Sequence, residues 1–131
     1  MHTTALICTV VLGVLVFGLG LMVSALRFRE KRLHGYSEEP TNLLHRVVRA
    51  HGNAVEYAPF LAILFLYLGA HDSSALTVWL IVGATASRVA HAVGLIAWPS
   101  MARPNPLRFL GALGTYVCGL ALCAVLAGVG G

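Results

Sequence analysis

The sequence predicts an all-α protein, an integral membrane four-helix bundle. Three observations carry that reading. Of the 131 residues, 58% are hydrophobic and only 11% charged, roughly half the charge an ordinary soluble domain carries. Several apolar runs approach the ~20 residues that cross a hydrocarbon core at about 1.5 Å of rise each. Apart from Arg88, the arginines and lysines gather toward the ends of those runs rather than along them.

The first helix is expected over about 5–26, where no residue is charged. This run is too long for the apolar region of a secretory signal, and RFREKR follows it in place of a small-residue cleavage site, so it reads as a permanent span. The stretch LHGYSEEP, Leu33 to Pro40, is a linker in which Gly35 and Pro40 interrupt helical pattern. Glu38 and Glu39 precede the second helix, where acidic side chains suit the helix dipole. That helix is expected over about 41–70 and is fully apolar only from Tyr57 onward. Pro59 within it lacks a backbone N–H and frees the carbonyl of Val55. The turn HDSS, His71 to Ser74, leads into a third helix at about 75–98 that carries Arg88 and His91. The fourth, at about 107–128, begins with Arg108. Residues 1–131 thus read as one transmembrane domain.

Short loops rich in Lys and Arg stay in the cytoplasm. Arg27, Arg29, Lys31 and Arg32 follow helix one, Arg46 and Arg49 open helix two, and Arg103 and Arg108 flank the connection between helices three and four. The HDSS turn and both termini lack such residues, which places the termini outside and the two longer loops inside. The net charge of +4 is then a topology signal and a rim for anionic headgroups, and no nucleic-acid partner is expected. Cys8, Cys118 and Cys123 sit within apolar runs and read as small buried hydrophobes; no metal is expected. Gly83 and Ser87, and the glycines 111, 114 and 119, suit close helix contacts. Trp98, Tyr36 and Tyr116 read as interface anchors or packing residues.

Ionisable groups inside a span are costly and face a partner or a wet cavity. At about 100° per residue, Arg49, Asn53, Glu56 and Phe60 form one stripe of helix two, extended by His45. Counting back from the HDSS turn at ~1.5 Å per residue places Glu56 and Arg88 at one depth, and Asn53 level with His91. An ion pair between Glu56 and Arg88 is therefore expected. Arg49, Asn53, His91 and Arg108 remain beyond that pair and point to a partly buried anionic ligand.

RAHGNAVEYAPF, Arg49 to Phe60, resembles the helix-two signature of the MAPEG family, membrane-associated proteins in eicosanoid and glutathione metabolism. SRVAHAVG, Ser87 to Gly94, is similar to that family's third-helix motif, and RPNPLR, Arg103 to Arg108, to its connection into helix four. The resemblance implies a homotrimer of four-helix subunits holding glutathione, the co-substrate, in the cytoplasmic half between neighbours. It implies glutathione-binding roles for Arg49, Asn53, Glu56, Arg88 and His91, a further contact from Arg27, and thiolate stabilisation by Arg108. Gly52 and Leu95 replace a basic residue and a tyrosine of glutathione-using eicosanoid enzymes, and Phe109 and Ala112 replace a serine and a tyrosine. A general transferase or peroxidase acting on lipophilic small molecules is accordingly expected, in a bacterial inner membrane. The alternative is a non-catalytic relative that binds a membrane lipid or another anionic metabolite. A haem protein ligated by His51 and His91 is disfavoured, because His51 lies ~140° from Glu56 around helix two at about 100° per residue.

Overall fold

A computed structural model of the chain describes residues 2–72 and 74–129. Its four α-helices are α1 (Thr3–Arg29), α2 (Leu43–His71), α3 (Ala75–Ala97) and α4 (Pro106–Val129), each long and apolar enough to cross a membrane. Ser73, part of the expected HDSS turn, lies outside the described residues.

Local chemistry sets each helix start. The Asn42 side chain accepts from the His45 amide at 2.9 Å, and Ser74 does the same for Thr77 at 3.3 Å, satisfying donors that the first turn leaves open. Asn105 accepts from the Arg108 amide at 3.1 Å, with Pro106 in the first helical position, where the missing N–H costs nothing. At the other end of α3, Arg46 donates from Nη1 to the carbonyls of Ile96 (2.5 Å) and Trp98 (2.6 Å). A residue that sequence reading treats as a topology charge therefore closes the α3 terminus.

The helices pair unequally: α3 with α4 and α1 with α2 lie closest, and α2 touches α4 along a narrower strip. Glycines cause the α3–α4 intimacy. A Cβ on Gly111 would lie 2.6 Å from the His91 amide nitrogen and 2.7 Å from the Ser87 carbonyl, and one on Gly94 would lie 2.7 Å from the Arg108 nitrogen. Backbone meets backbone there, as small residues permit between spans. Gly83 approaches Cys118 in the same seam, which gives that cysteine a packing role.

Toward the α2–α3 turn all four helices close on a dry core that includes Leu12, Leu64, Phe65, Leu68, Ile81 and Leu122. Nearer the opposite end, Leu19, Ala50, Ala54, Ala92 and Leu95 pack α1, α2 and α3 together. The outward faces of α1 and α4 stay apolar, with Val14, Phe17, Leu21, Leu113, Val117 and Leu120 exposed. So wide an apolar surface suits lipid or neighbouring helices rather than water.

Candidate functional site

The narrow α2–α4 strip leaves room beside α3 at the end bearing the basic loops, and polar side chains fill its walls. Arg88 is the most deeply buried of them, 1% exposed. Its Nη2 donates to the Asn53 amide oxygen, its Nη1 to the Thr115 hydroxyl at 3.3 Å, and its guanidinium lies over the Tyr57 ring, 5.0 Å from the centroid. Thr115 in turn donates to the Gly111 carbonyl at 2.8 Å, so its hydroxyl is committed to the helix seam. Tyr57 and Tyr116 meet through their hydroxyls at 3.2 Å.

The expected Glu56–Arg88 ion pair does not form. Glu56 is exposed on α2, and among the described residues the ion pair present is Arg32 with Glu30 at 3.3 Å. The depth match was sound, since Asn53 and Tyr57 straddle Glu56 by one turn. The face was not. At about 100° per residue Glu56 sits ~60° around the helix from Asn53, whereas Tyr57, four residues on, returns to within ~40° of it. Arg88 engages the Asn53–Tyr57 face and a neutral amide in place of a carboxylate.

Two adjoining cavities share Asn53, His91 and Arg108. The smaller, about 220 Å³, is completed by Arg49, Leu95 and Met101. The larger, about 730 Å³, extends along the connection and α4 through Arg103, Asn105, Phe109, Ala112 and Tyr116. His91 is 6% exposed, and its Nδ1 has no hydrogen-bond partner although it is buried. A group of that kind at a cavity wall calls for a ligand or water. Asn105 fixes the mouth: while capping α4 it donates from Nδ2 to the Gly94 carbonyl at 2.5 Å, which pins the start of α4, and Arg108 with it, against α3. The positive end of α4 and two arginines thus face one space, an arrangement suited to an anion.

Of the sequence-predicted residues, Arg49, Asn53, His91 and Arg108 come together around these cavities, with Arg88 supporting Asn53 from behind. Arg27 does not join them: its Nε donates to the Gly35 carbonyl at 3.3 Å beside the α1–α2 packing. Glu56 lines a third cavity instead, an apolar groove of about 300 Å³ between α2 and α4 that includes Phe60, Leu64, Tyr116, Leu120 and Cys123. His51 packs toward α1, its Nε2 3.2 Å from where a Cβ on Gly20 would stand. Sequence reasoning missed Tyr116, assigned to packing or anchoring, although it follows Arg108 and Ala112 at i+8 and i+4 on one face of α4. It also missed Asn105, whose signal was an asparagine directly before a proline that opens a helix.

Compared with known proteins, the chain matches a family model described as the MAPEG family over residues 5–128. No curated protein and no solved structure matches it.

Proposed function

The chain belongs to the MAPEG family, and from that premise we propose that this multi-pass membrane protein is a glutathione-dependent transferase or peroxidase acting on lipophilic electrophiles or lipid hydroperoxides. The observation that carries the reading is the convergence of Arg49, Asn53, His91 and Arg108 on two adjoining cavities, with a buried His91 nitrogen left unpartnered. Glutathione is an anionic peptide at neutral pH, and arginine forks hold carboxylates by paired charge-assisted hydrogen bonds. Its thiol attacks as the thiolate, which a fixed cation favours. Arg108 is the cation for that role, because it borders both cavities and stands in the first turn of α4. The apolar α2–α4 groove admits the oily partner from the bilayer and so brings the two reactants together.

In this reading the basic loops are cytoplasmic, the membrane is a bacterial inner membrane, and the active form is a homotrimer. Arg27 and Glu56 lie outside both polar cavities of their own subunit, so their proposed contacts with the peptide are made across a subunit boundary.

Calorimetric titration of glutathione into the detergent-solubilised, size-verified oligomer tests the proposal. Saturable heat is expected. A well-folded oligomer without it would overturn the reading in favour of a non-catalytic member that binds a lipid or another anionic metabolite. Leu95 and Phe109 on the cavity walls are the observations on that side, since they offer a peptide no hydrogen bond.

A further inference from the structure

Tyr116 alone among the side chains around the larger polar cavity also lines the apolar α2–α4 groove. A lipid lying in the groove with its reactive end toward Arg108 must pass this residue. Tyr116 is half-exposed, and its hydroxyl meets that of Tyr57, whose ring lies beneath the Arg88 guanidinium. The second phenol of the groove, Tyr57, does not border the larger cavity and meets it only through the Tyr116 hydroxyl. The Thr115 hydroxyl is already donating to the Gly111 carbonyl, and Glu56 lines the groove without bordering the larger cavity.

Resting on the glutathione reading above, we propose that Tyr116 is a catalytic acid for lipid hydroperoxides and that this substrate class, rather than an alkylating electrophile, is what the seam between cavity and groove is shaped to reduce. The thiolate beside Arg108 attacks the terminal peroxide oxygen, an S–O bond forms, and the O–O bond breaks with its electron pair passing to the inner oxygen. That alkoxide takes the phenolic proton of Tyr116 and leaves as the lipid alcohol. The Tyr57 hydroxyl donates to the transient phenolate, and Arg88 supplies fixed positive charge behind it. Water returns to Tyr116 the proton lost when the thiol ionised. A second glutathione thiolate then attacks the sulfenic sulfur and displaces hydroxide, which is protonated to water. Two thiols are oxidised to one disulfide, and the peroxide is reduced by two electrons.

The test compares two reactions of the detergent-solubilised full chain with glutathione: reduction of cumene hydroperoxide, and conjugation of an activated aryl chloride, whose departing chloride takes no proton. In Tyr116→Phe the ratio of peroxide to aryl chloride turnover should fall at least about 10-fold, the low end of what general acids contribute. The loss should deepen with tert-butyl hydroperoxide, whose alkoxide is more basic. Tyr57→Phe should lower the same ratio less. An unchanged ratio in Tyr116→Phe overturns the proposal, as does a wild-type protein that conjugates but reduces no peroxide. A wild-type protein that neither binds glutathione nor turns over either substrate overturns the glutathione reading itself, and this proposal with it.

Discussion

The Asn53 amide oxygen accepts a hydrogen bond from Arg88, a guanidinium with 1% of its surface exposed. An amide rather than a carboxylate faces this cation, so the charge at the centre of the bundle is solvated by a neutral dipole, a hydroxyl and an aromatic face. Asn53→Ala strands one arm of a buried charged donor and is expected to cost about 2–3 kcal/mol, read as a lower thermal midpoint in detergent. Glu56→Gln should stay within about 0.5 kcal/mol of wild type by the same measurement, because its carboxylate is exposed and forms no pair with Arg88. The opposite ranking would restore the ion pair.

The α3–α4 seam makes a second test. Gly111→Ala drives a Cβ to 2.6 Å from the His91 amide nitrogen, and backbone cannot swing aside as a flexible side chain can. The helices must part, at an expected cost of about 1–3 kcal/mol for overpacking. Gly52 provides the contrast, since a Cβ there meets nothing within 4 Å. Gly52→Ala lies mid-helix and should raise stability by about 0.5–1 kcal/mol. Thermal unfolding followed by near-ultraviolet circular dichroism ranks the two, and equal effects would mean that the seam is looser than these distances.

Apolar run length and turn signals gave helices over about 5–26 and 41–70, where the structure has Thr3–Arg29 and Leu43–His71. Depth was legible too, because a short turn fixes how two adjacent helices are matched along their length. Azimuth was harder. Asn53 and Glu56 fall on one stripe by angle, yet which edge of that stripe meets α3 depends on how α4 packs, and α4 is held by glycines whose partners are remote in sequence. That is why the Arg88 partner was misassigned, and why Tyr116, two turns beyond Arg108, went unassigned as a site residue. Arg46 shows a related limit: composition marked it as a topology charge, while its hydrogen bonds to Ile96 and Trp98 exist only once α2 and α3 are docked.

The turn between α2 and α3 carries a pH dependence. The Asp72 carboxyl is held below the usual carboxylate range, first by the Thr77 hydroxyl at 2.5 Å and then by the Ser74 amide at 2.9 Å. A carboxyl with a depressed folded pKa stabilises the fold above its ordinary value, about 4, and that contribution is lost as pH falls through the folded pKa. The first turn of α3 should therefore exchange its amides faster in acid than at neutrality, after correction for intrinsic rates. Asp72→Asn should remove most of that dependence. If the acid response persisted unchanged in Asp72→Asn, another group would be responsible.

Arg108 offers the sharpest separation of chemistry from structure. It is exposed at the rim of both polar cavities and caps nothing with its side chain, so its removal should leave the bundle intact. A guanidinium beside a bound thiol stabilises the thiolate, and each unit by which it lowers the thiol pKa is worth about 1.4 kcal/mol. In Arg108→Ala the bound thiol should ionise at least about one unit higher, and wherever the pH lies below the thiol pKa this cuts turnover by up to about tenfold per unit, the thiolate being the attacking species. Raising the pH should then recover much of the loss, since the solvent supplies the ionisation that the arginine no longer promotes. Arg108→Lys keeps the charge without the planar fork and should fall between the two. The measurement is the pH profile of glutathione-dependent turnover, paired with thiolate absorbance of the bound peptide. A profile lowered equally at every pH would assign Arg108 to binding alone, and an unchanged one would remove it from the mechanism.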